Sequence, residues 1–214
     1  MRSERILIDG PAGVIETVFD YPAGAAPAGV RGLALVAHPH PLYGGTLDNK
    51  VAQILAKTFV ELGYVSVRPN FRGVGASEGL HDEGNGETDD LVEVVAHARR
   101  KLALPDQPLV LAGFSFGSLV VSRVAKRLAV ERTVEQAVER MVFVGTAVTR
   151  GKVEDVPADT IVIHGESDDT VPLDAVLRWA EPQDLPVIVI AGADHFFHRR
   201  LHIIKGIIQR AWKS

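Results

Sequence analysis

Short apolar runs rich in β-branched residues alternate with longer amphipathic segments along this chain. Apolar runs of four to eight residues, bounded by glycine, proline or polar residues, are typical of buried strands. Eight strands are predicted in this way: Arg5 to Asp9, Val14 to Asp20, Gly32 to Ala37, Tyr64 to Pro69, Leu109 to Gly113, Met141 to Gly145, Thr160 to His164 and Pro186 to Ala191. The first two flank Gly10-Pro11-Ala12-Gly13 and are expected to form a hairpin.

The longer segments carry apolar residues at helical spacing. In Asn49 to Leu62 and in Glu87 to Leu102, the apolar positions fall on one face, which predicts helices that cover a sheet. Further helices are predicted after Phe116, around Val130 to Glu139, from Leu173 to Ala180 and from His198 to Trp212. Strands that alternate with helices predict an α/β fold whose mostly parallel, eight-stranded sheet has helices on both faces.

The length and composition indicate one domain over residues 1–214. A chain of 214 residues with 46% hydrophobic and 23% charged residues has the usage of an ordinary globular protein. The segment from Thr146 to Asp159 is too short for a separate lid domain, so any active site is expected to be open.

Charge and cysteine usage exclude several functional classes. The formal net charge is −4 and the basic residues are scattered, which argues against a nucleic acid partner. With no cysteine, disulfides, thiolate metal sites and a cysteine nucleophile are excluded. No segment has the length of a signal peptide's apolar region or a membrane span, so a cytoplasmic location without membrane contact is expected.

A G-x-S-x-G motif occurs twice, around Ser77 and around Ser115. Ser115 follows a predicted buried strand and precedes a predicted helix, which is the context of a nucleophile elbow. The flanking glycines allow the tight turn that exposes the hydroxyl group. Ser77 is followed by the polar segment Leu80 to Gly86, so a structural role is expected for it.

A serine hydroxyl needs a base, and the base needs an orienting acid. His195 follows the predicted strand from Pro186 to Ala191, and Asp168 follows the predicted strand from Thr160 to His164, so both should reach the sheet edge where Ser115 lies. Asp169 and Glu166 are local rivals for the acid. The order serine, acid, histidine is that of α/β-hydrolases.

An oxyanion hole requires two main-chain donors. The NH of Phe116, next to Ser115, is one candidate, and the loop after the predicted strand from Gly32 to Ala37 should supply the other. Because Pro39 and Pro41 in this loop have no NH, we expect His40 to be the donor.

Three segments carry a resemblance to a known family. They are His38-Pro39-His40-Pro41-Leu42-Tyr43-Gly44-Gly45-Thr46, Arg72-Gly73-Val74-Gly75-Ala76-Ser77-Glu78-Gly79 and Ala193-Asp194-His195-Phe196-Phe197. With the Ser115 motif, they make the chain similar, over nearly its whole length, to small lidless members of the α/β-hydrolase superfamily, in a bacterial subgroup of hydrolases and carboxylesterase-like proteins. The resemblance implies a Ser115, Asp168 and His195 triad. No cofactor and no metal are expected. The chain departs from the family's common His-Gly oxyanion motif at Pro39.

The expected activity is hydrolysis of esters or thioesters of small acyl substrates. Leu42, Tyr43, Phe114 and Phe196 are candidates for an apolar lining that would favour acyl groups over charged substrates. The same triad serves esters, thioesters, amides and peptides, so the natural substrate is not readable from the sequence.

Two other functions remain open at this stage. His38 and His40 at a strand end resemble the first ligand pair of metal-dependent hydrolases, which would make the protein a zinc enzyme. A ligand-binding protein built on a hydrolase scaffold, without catalysis, is the second alternative.

Overall fold

The predicted sheet is present with all eight strands. The computed structural model describes residues 1–24, 29–104, 107–130 and 138–212. The strands are β1 (Arg2–Gly10), β2 (Gly13–Tyr21), β3 (Gly32–Ala37), β4 (Tyr64–Pro69), β5 (Leu109–Phe114), β6 (Val138–Val144), β7 (Ile161–Gly165) and β8 (Val187–Ile190). Their order in the sheet is β1-β2-β4-β3-β5-β6-β7-β8. The predicted hairpin joins β1 to β2, both pairs made by β2 are antiparallel, and all pairs from β4 to β8 are parallel.

Five helices cover this sheet within the described ranges. They are α1 (Lys50–Glu61), α2 (Asn85–Leu102), α3 (Phe116–Val130), α4 (Leu173–Ala180) and α5 (Leu201–Ala211). One apolar cluster packs α2 and α3 on one face of the sheet, and a second packs α1 and α5 on the other. Because side chains alternate along a strand, Leu33 and Leu35 of β3 join the first cluster while Ala34 and Val36 join the second. None of the helices in these ranges is long and apolar enough to cross a membrane.

Two helix predictions differ from the structure. The helix predicted around Val130 to Glu139 falls largely on residues 131–137, outside the described residues, and it is wrong at its end because β6 begins at Val138. The helix predicted from His198 begins only at Leu201, since Arg199 has a positive φ of 63° that a right-handed helix does not accept.

The turn between β5 and α3 brings the backbone of three segments into close contact. Ser115 sits in this turn with a φ of 55°, and its NH donates to the Val144 carbonyl of β6 at 2.9 Å. A Cβ on Gly113 would lie 2.4 Å from the carbonyl carbon of Gly117, and one on Gly117 would lie 2.3 Å from the Ala37 oxygen at the end of β3. The two glycines are therefore required for α3 to pack this closely against the sheet.

His38 holds together the chain segments that leave β3 and β4. It is fully buried; its Nδ1 contacts the Pro39 carbonyl at 2.7 Å and its Nε2 lies 2.9 Å from the Phe71 NH. These contacts fit a neutral ring with its proton on Nδ1, because Nε2 must then accept from Phe71. Burial lowers the pKa of His38 to about 4, with the Pro39 carbonyl acting in the opposite direction.

Replacement of Gly117 by alanine should destabilise the protein although alanine is the better helix former. The added methyl group would collide with the Ala37 carbonyl, and we expect the free energy of unfolding to fall by about 1–3 kcal/mol. Urea unfolding measures this, with Gly29→Ala as the control because a Cβ there meets no atom within 4 Å. Equal stability of the two variants would contradict the tight contact.

Acid should weaken the fold through His38. Between pH 6.5 and 4 the unfolded chain binds a proton that the folded ring does not, so the free energy of unfolding falls as the pH falls. From pH 7.5 to pH 5 this amounts to about 2 kcal/mol for a folded pKa of about 4. The free energy of unfolding, measured in urea at both pH values, should fall less in His38→Gln than in the native chain, and the difference should be this amount. Replacement of the exposed His202 by glutamine should leave the fall as it is in the native chain. If NMR shows that His38 titrates near pH 6.5 in the folded protein, the prediction is wrong.

Candidate active site

Three side chains from the carboxyl ends of β5, β7 and β8 meet at one edge of the sheet. Ser115 Oγ lies 3.1 Å from His195 Nε2, and His195 Nδ1 lies 2.7 Å from Asp168 Oδ2. All three residues are buried, with 7% of Ser115, 7% of Asp168 and 3% of His195 exposed. This is the geometry of a hydroxyl, a base and an orienting acid in one hydrogen-bonded chain.

Asp168 is fixed by its own loop. Its Oδ1 accepts hydrogen bonds from the Thr170 NH at 3.0 Å and the Val171 NH at 2.8 Å, which leaves Oδ2 for His195. Burial by itself raises the pKa of Asp168, but the hydrogen bonds from His195 and Val171 outweigh it and hold the pKa below its usual value. The carboxylate is therefore ionised at neutral pH.

His164, which the sequence analysis did not select, lies directly behind this carboxylate. Its Nε2 is 2.9 Å from the Val171 carbonyl and 3.4 Å from Asp168 Oδ2. Burial lowers the pKa of His164, opposed by the Val171 carbonyl and by Asp168, so a neutral ring with its proton on Nε2 fits the site. A histidine at the end of the apolar run from Ile161 to Ile163 is the sequence signal that could have identified it.

The His195 ring is held by close packing. The Phe114 ring centroid lies 5.0 Å from that of His195, and the Phe196 ring meets His195 edge-on at 5.2 Å. A Cβ on Gly145, at the end of β6, would lie 3.2 Å from His195 Cε1, so a larger residue there would crowd the imidazole. Gly145 also has a positive φ of 56°, which favours glycine.

The other acidic residues near these loops have different partners. Glu166 accepts a hydrogen bond from the Gly192 NH at 2.7 Å, and Asp194 pairs with His198 Nδ1 at 2.6 Å. Asp169 is exposed and contacts only the neighbouring Thr170 hydroxyl at 3.4 Å among the described residues. Of the acids weighed from the sequence, Asp168 is the one that contacts His195.

The main-chain NH groups of Phe116 and His40 have no hydrogen-bond partner among the described residues. Phe116 is the first residue of α3, so its NH has no partner within the helix. The His40 NH donates no hydrogen bond to any of the described residues. The contact of Gly117 with the end of β3 brings the two segments together, and the His40 and Phe116 rings lie 4.7 Å apart.

Ser115 and His195 border a cavity of about 310 Å³. It is lined by Pro39, His40, Tyr43, Gly44, Gly45, Asn49, Ser115, Phe116, Ala147, Arg150, Thr170, Val171, His195 and Phe196. Tyr43 and Phe196 thus lie where the sequence places them. The structure puts Leu42 and Phe114 outside this lining, because Leu42 is 69% exposed in a 3-10 turn and Phe114 is buried behind His195.

The second G-x-S-x-G motif serves the fold. Ser77 Oγ accepts from the Glu16 NH of β2 and donates to the Asn70 carbonyl, both at 2.9 Å, and the residue is buried. Ala76 NH donates to the Glu16 carboxylate in the same cluster at 2.9 Å. These bonds fix the loop after β4 against β2, so the Ser77 hydroxyl is already engaged in the structural role expected for it.

The described residues provide no ligand set for the metal-dependent hydrolase considered from the sequence. Both ring nitrogens of His38 face main-chain groups, so this histidine has no free lone pair directed at a metal beside His40. Among the described residues, no group of three or more histidine, aspartate or glutamate side chains could hold a metal ion.

Comparisons with known proteins point to one family. A family model described as the alpha/beta hydrolase fold matches residues 40–159. An uncharacterized protein of Rickettsia prowazekii is 32% identical over 207 residues, which cover 90% of this chain and 82% of the relative. A lidless a/b serine hydrolase from Xanthomonas campestris has 35% identity and a TM-score of 0.87 over 99% of this chain and 94% of its own. An alpha-beta serine hydrolase homologue from Coxiella burnetii has 33% identity and a TM-score of 0.81 over 97% and 96%. The chain therefore belongs to the α/β-hydrolase family, as a small member without a lid.

Proposed function

We propose that this protein is a serine hydrolase that cleaves ester or thioester bonds of small acyl substrates through an acyl-enzyme intermediate. The observation that carries the proposal is the continuous chain of contacts from Ser115 Oγ through His195 to Asp168, at 3.1 and 2.7 Å, beside an open cavity. A site that only binds a ligand does not require a base in contact with the Ser115 hydroxyl or the unpaired NH groups of Phe116 and His40.

The first half of the reaction forms the acyl-enzyme. His195 Nε2 takes the proton of Ser115 Oγ while the oxygen attacks the substrate carbonyl, and Asp168 stabilises the imidazolium that results. The Phe116 and His40 NH groups hold the negative charge that develops on the carbonyl oxygen. When the intermediate collapses, the bond to the leaving alcohol or thiol breaks, and that group receives the proton from His195.

The second half reverses these roles with water. A water molecule gives a proton to His195 and attacks the acyl-enzyme carbonyl. Collapse then breaks the bond to Ser115, which regains its proton from His195, and releases a carboxylic acid. Because Asp168 is ionised at neutral pH, it can hold His195 in the tautomer that both halves need.

The substrates are expected to be small. A cavity of about 310 Å³ is at the lower end of the range for small-molecule sites, and the protein has no lid to enclose a long chain. Tyr43 and Phe196 supply apolar surface at its rim.

Ser115→Ala should abolish turnover of an activated short-chain ester such as 4-nitrophenyl acetate. We expect kcat to fall by roughly 10³-fold or more, because no other described hydroxyl contacts His195. Covalent labelling by a fluorophosphonate should be lost as well. Ser77→Ala is the matched control from the other motif: its folded fraction should still turn over ester and be labelled. Undiminished turnover in folded Ser115→Ala would refute the proposal.

Asp168→Asn should lower kcat by roughly 10³- to 10⁴-fold. An amide at this position cannot stabilise the imidazolium, and it favours the wrong tautomer of His195. The exposed Asp169→Asn, one residue further along, removes the same charge without touching His195 and should retain activity near that of the native chain. Ester turnover under identical conditions compares the two, and equal loss in both would show that Asp168 acts only through general charge.

A further inference from the structure

An arginine lines the cavity in a segment to which the sequence analysis assigned no function. Arg150 closes a turn after β6, where its NH donates to the Ala147 carbonyl at 3.1 Å. It borders the same cavity as Ser115 and His195, and it is exposed to solvent. A guanidinium group thus stands at the mouth of the site.

The Arg150 side chain is positioned by an aromatic ring across the cavity mouth. Its Cζ lies 5.3 Å from the centroid of the Tyr43 ring, which belongs to the loop after β3. Stacking on an aromatic face leaves the NH groups at the edge of the guanidinium free to donate hydrogen bonds. The contact therefore orients the cation without consuming its donors.

Within the described residues, Arg150 has no carboxylate partner. The buried Arg68 and the partly buried Arg72, by contrast, are held by Asp20 at 2.9 Å and Asp90 at 2.8 Å. The described residues that line the cavity include no aspartate or glutamate, so no acid among them competes for Arg150. The Asp168 carboxylate is already engaged by His195 and by the amides of its own loop.

The other ionisable groups of the lining do not cancel this charge. Burial is the main cause that lowers the pKa of His40, and His81 and Arg150 lower it further, whereas Glu83 and Glu87 act in the opposite direction. The pKa stays below its usual value, so His40 is neutral at pH 7. Arginine remains protonated at any working pH. The cavity mouth therefore presents a positive group with free donors to a bound substrate.

We propose that Arg150 is a specificity-determining residue that binds an anionic oxyacid group, a carboxylate or a phosphate, on the substrate. The planar guanidinium matches the two oxygens of either group. This inference rests on the proposed function and gives it a substrate class: esters or thioesters that carry a negative charge a few bonds from the scissile carbonyl. It also modifies the expectation that an apolar lining favours uncharged acyl groups.

Matched ester pairs test this inference. One pair places the charge on the acyl side: the 4-nitrophenyl monoester of adipic acid against 4-nitrophenyl hexanoate. The other places it on the leaving group: 4-carboxyphenyl acetate against 4-carbamoylphenyl acetate. For each pair, the quantity measured is the ratio of kcat/KM for the anionic ester to that for the neutral one, in the native chain and in Arg150→Gln.

In at least one pair, Arg150→Gln should lower this ratio by about tenfold, the usual effect of losing one charge-assisted hydrogen-bonded pair. Lys152→Gln is the control, because it removes a positive charge two residues away that does not line the cavity, and it should leave the ratio within about twofold of the native value. Added salt should lower the ratio in the native chain more than in Arg150→Gln.

A third substrate separates the two anions. 4-Acetoxyphenyl phosphate carries a phosphate in the position of the carboxylate of 4-carboxyphenyl acetate, and the one with the larger dependence on Arg150 identifies the preferred group. If Arg150→Gln changes charged and neutral esters equally in every comparison, Arg150 serves only to pack Tyr43 and the inference is wrong. If the native chain hydrolyses none of these esters and Ser115 resists fluorophosphonate, the proposed function itself fails and the inference falls with it.

Discussion

The turn at Ser115 is the constraint on which the rest of the site depends. A non-glycine residue with a positive φ costs free energy, and here surrounding contacts hold it in place. The Ser115 NH is tied to β6, and Gly117 lies against the end of β3, so the strained turn is fixed to two neighbouring strands at once. One backbone arrangement thereby positions the hydroxyl, leaves the Phe116 NH without a partner in its helix, and brings the loop after β3 close to both. A change that relaxed the turn would disturb all three together.

A second layer of buried groups supports Asp168 and His195. Asp168 lies between His195 and His164, and two amides of its own loop satisfy its second oxygen. A buried carboxylate without such partners would take up a proton, and then it could not orient the base. The neutral His164 donates to the Val171 carbonyl, in the same loop that donates to Asp168. The loop that holds Asp168 is thus itself held by His164.

Much of the fold was predictable from the sequence because strand and helix periodicities differ clearly. The bounds of β3, β4 and α4 coincide with those predicted, since each is set by a sharp change from apolar to polar or turn-forming residues. The start of β6 was not predictable: Val138 and Glu139 continue an amphipathic pattern, and the pairing of Val138 with Leu109 of β5 comes from tertiary contacts that local sequence does not encode.

The site divides in the same way. The positions of Ser115, Asp168 and His195 could be inferred because parallel strands deliver the residues that follow them to one edge of the sheet. His164 contacts Asp168, and Gly145 lies against the His195 ring. Both contacts are defined only in the folded chain. Arg150 lies in a connecting segment with no periodicity, and its place at the cavity depends on Tyr43, more than 100 residues earlier in the chain.

The two G-x-S-x-G motifs show why a motif acquires chemistry only from its surroundings. Both serines are buried and both lie after strands of the same sheet. The Ser77 hydroxyl donates to one main-chain group and accepts from another, so both its proton and its lone pair are committed to holding β2 and the loop after β4 together. The Ser115 hydroxyl contacts the His195 imidazole, whose other nitrogen contacts the Asp168 carboxylate. Ser115 also borders the cavity. In the proposed function, the partner of the hydroxyl separates the structural serine from the nucleophile, because a base that can take up a proton and return it leaves the oxygen free to react.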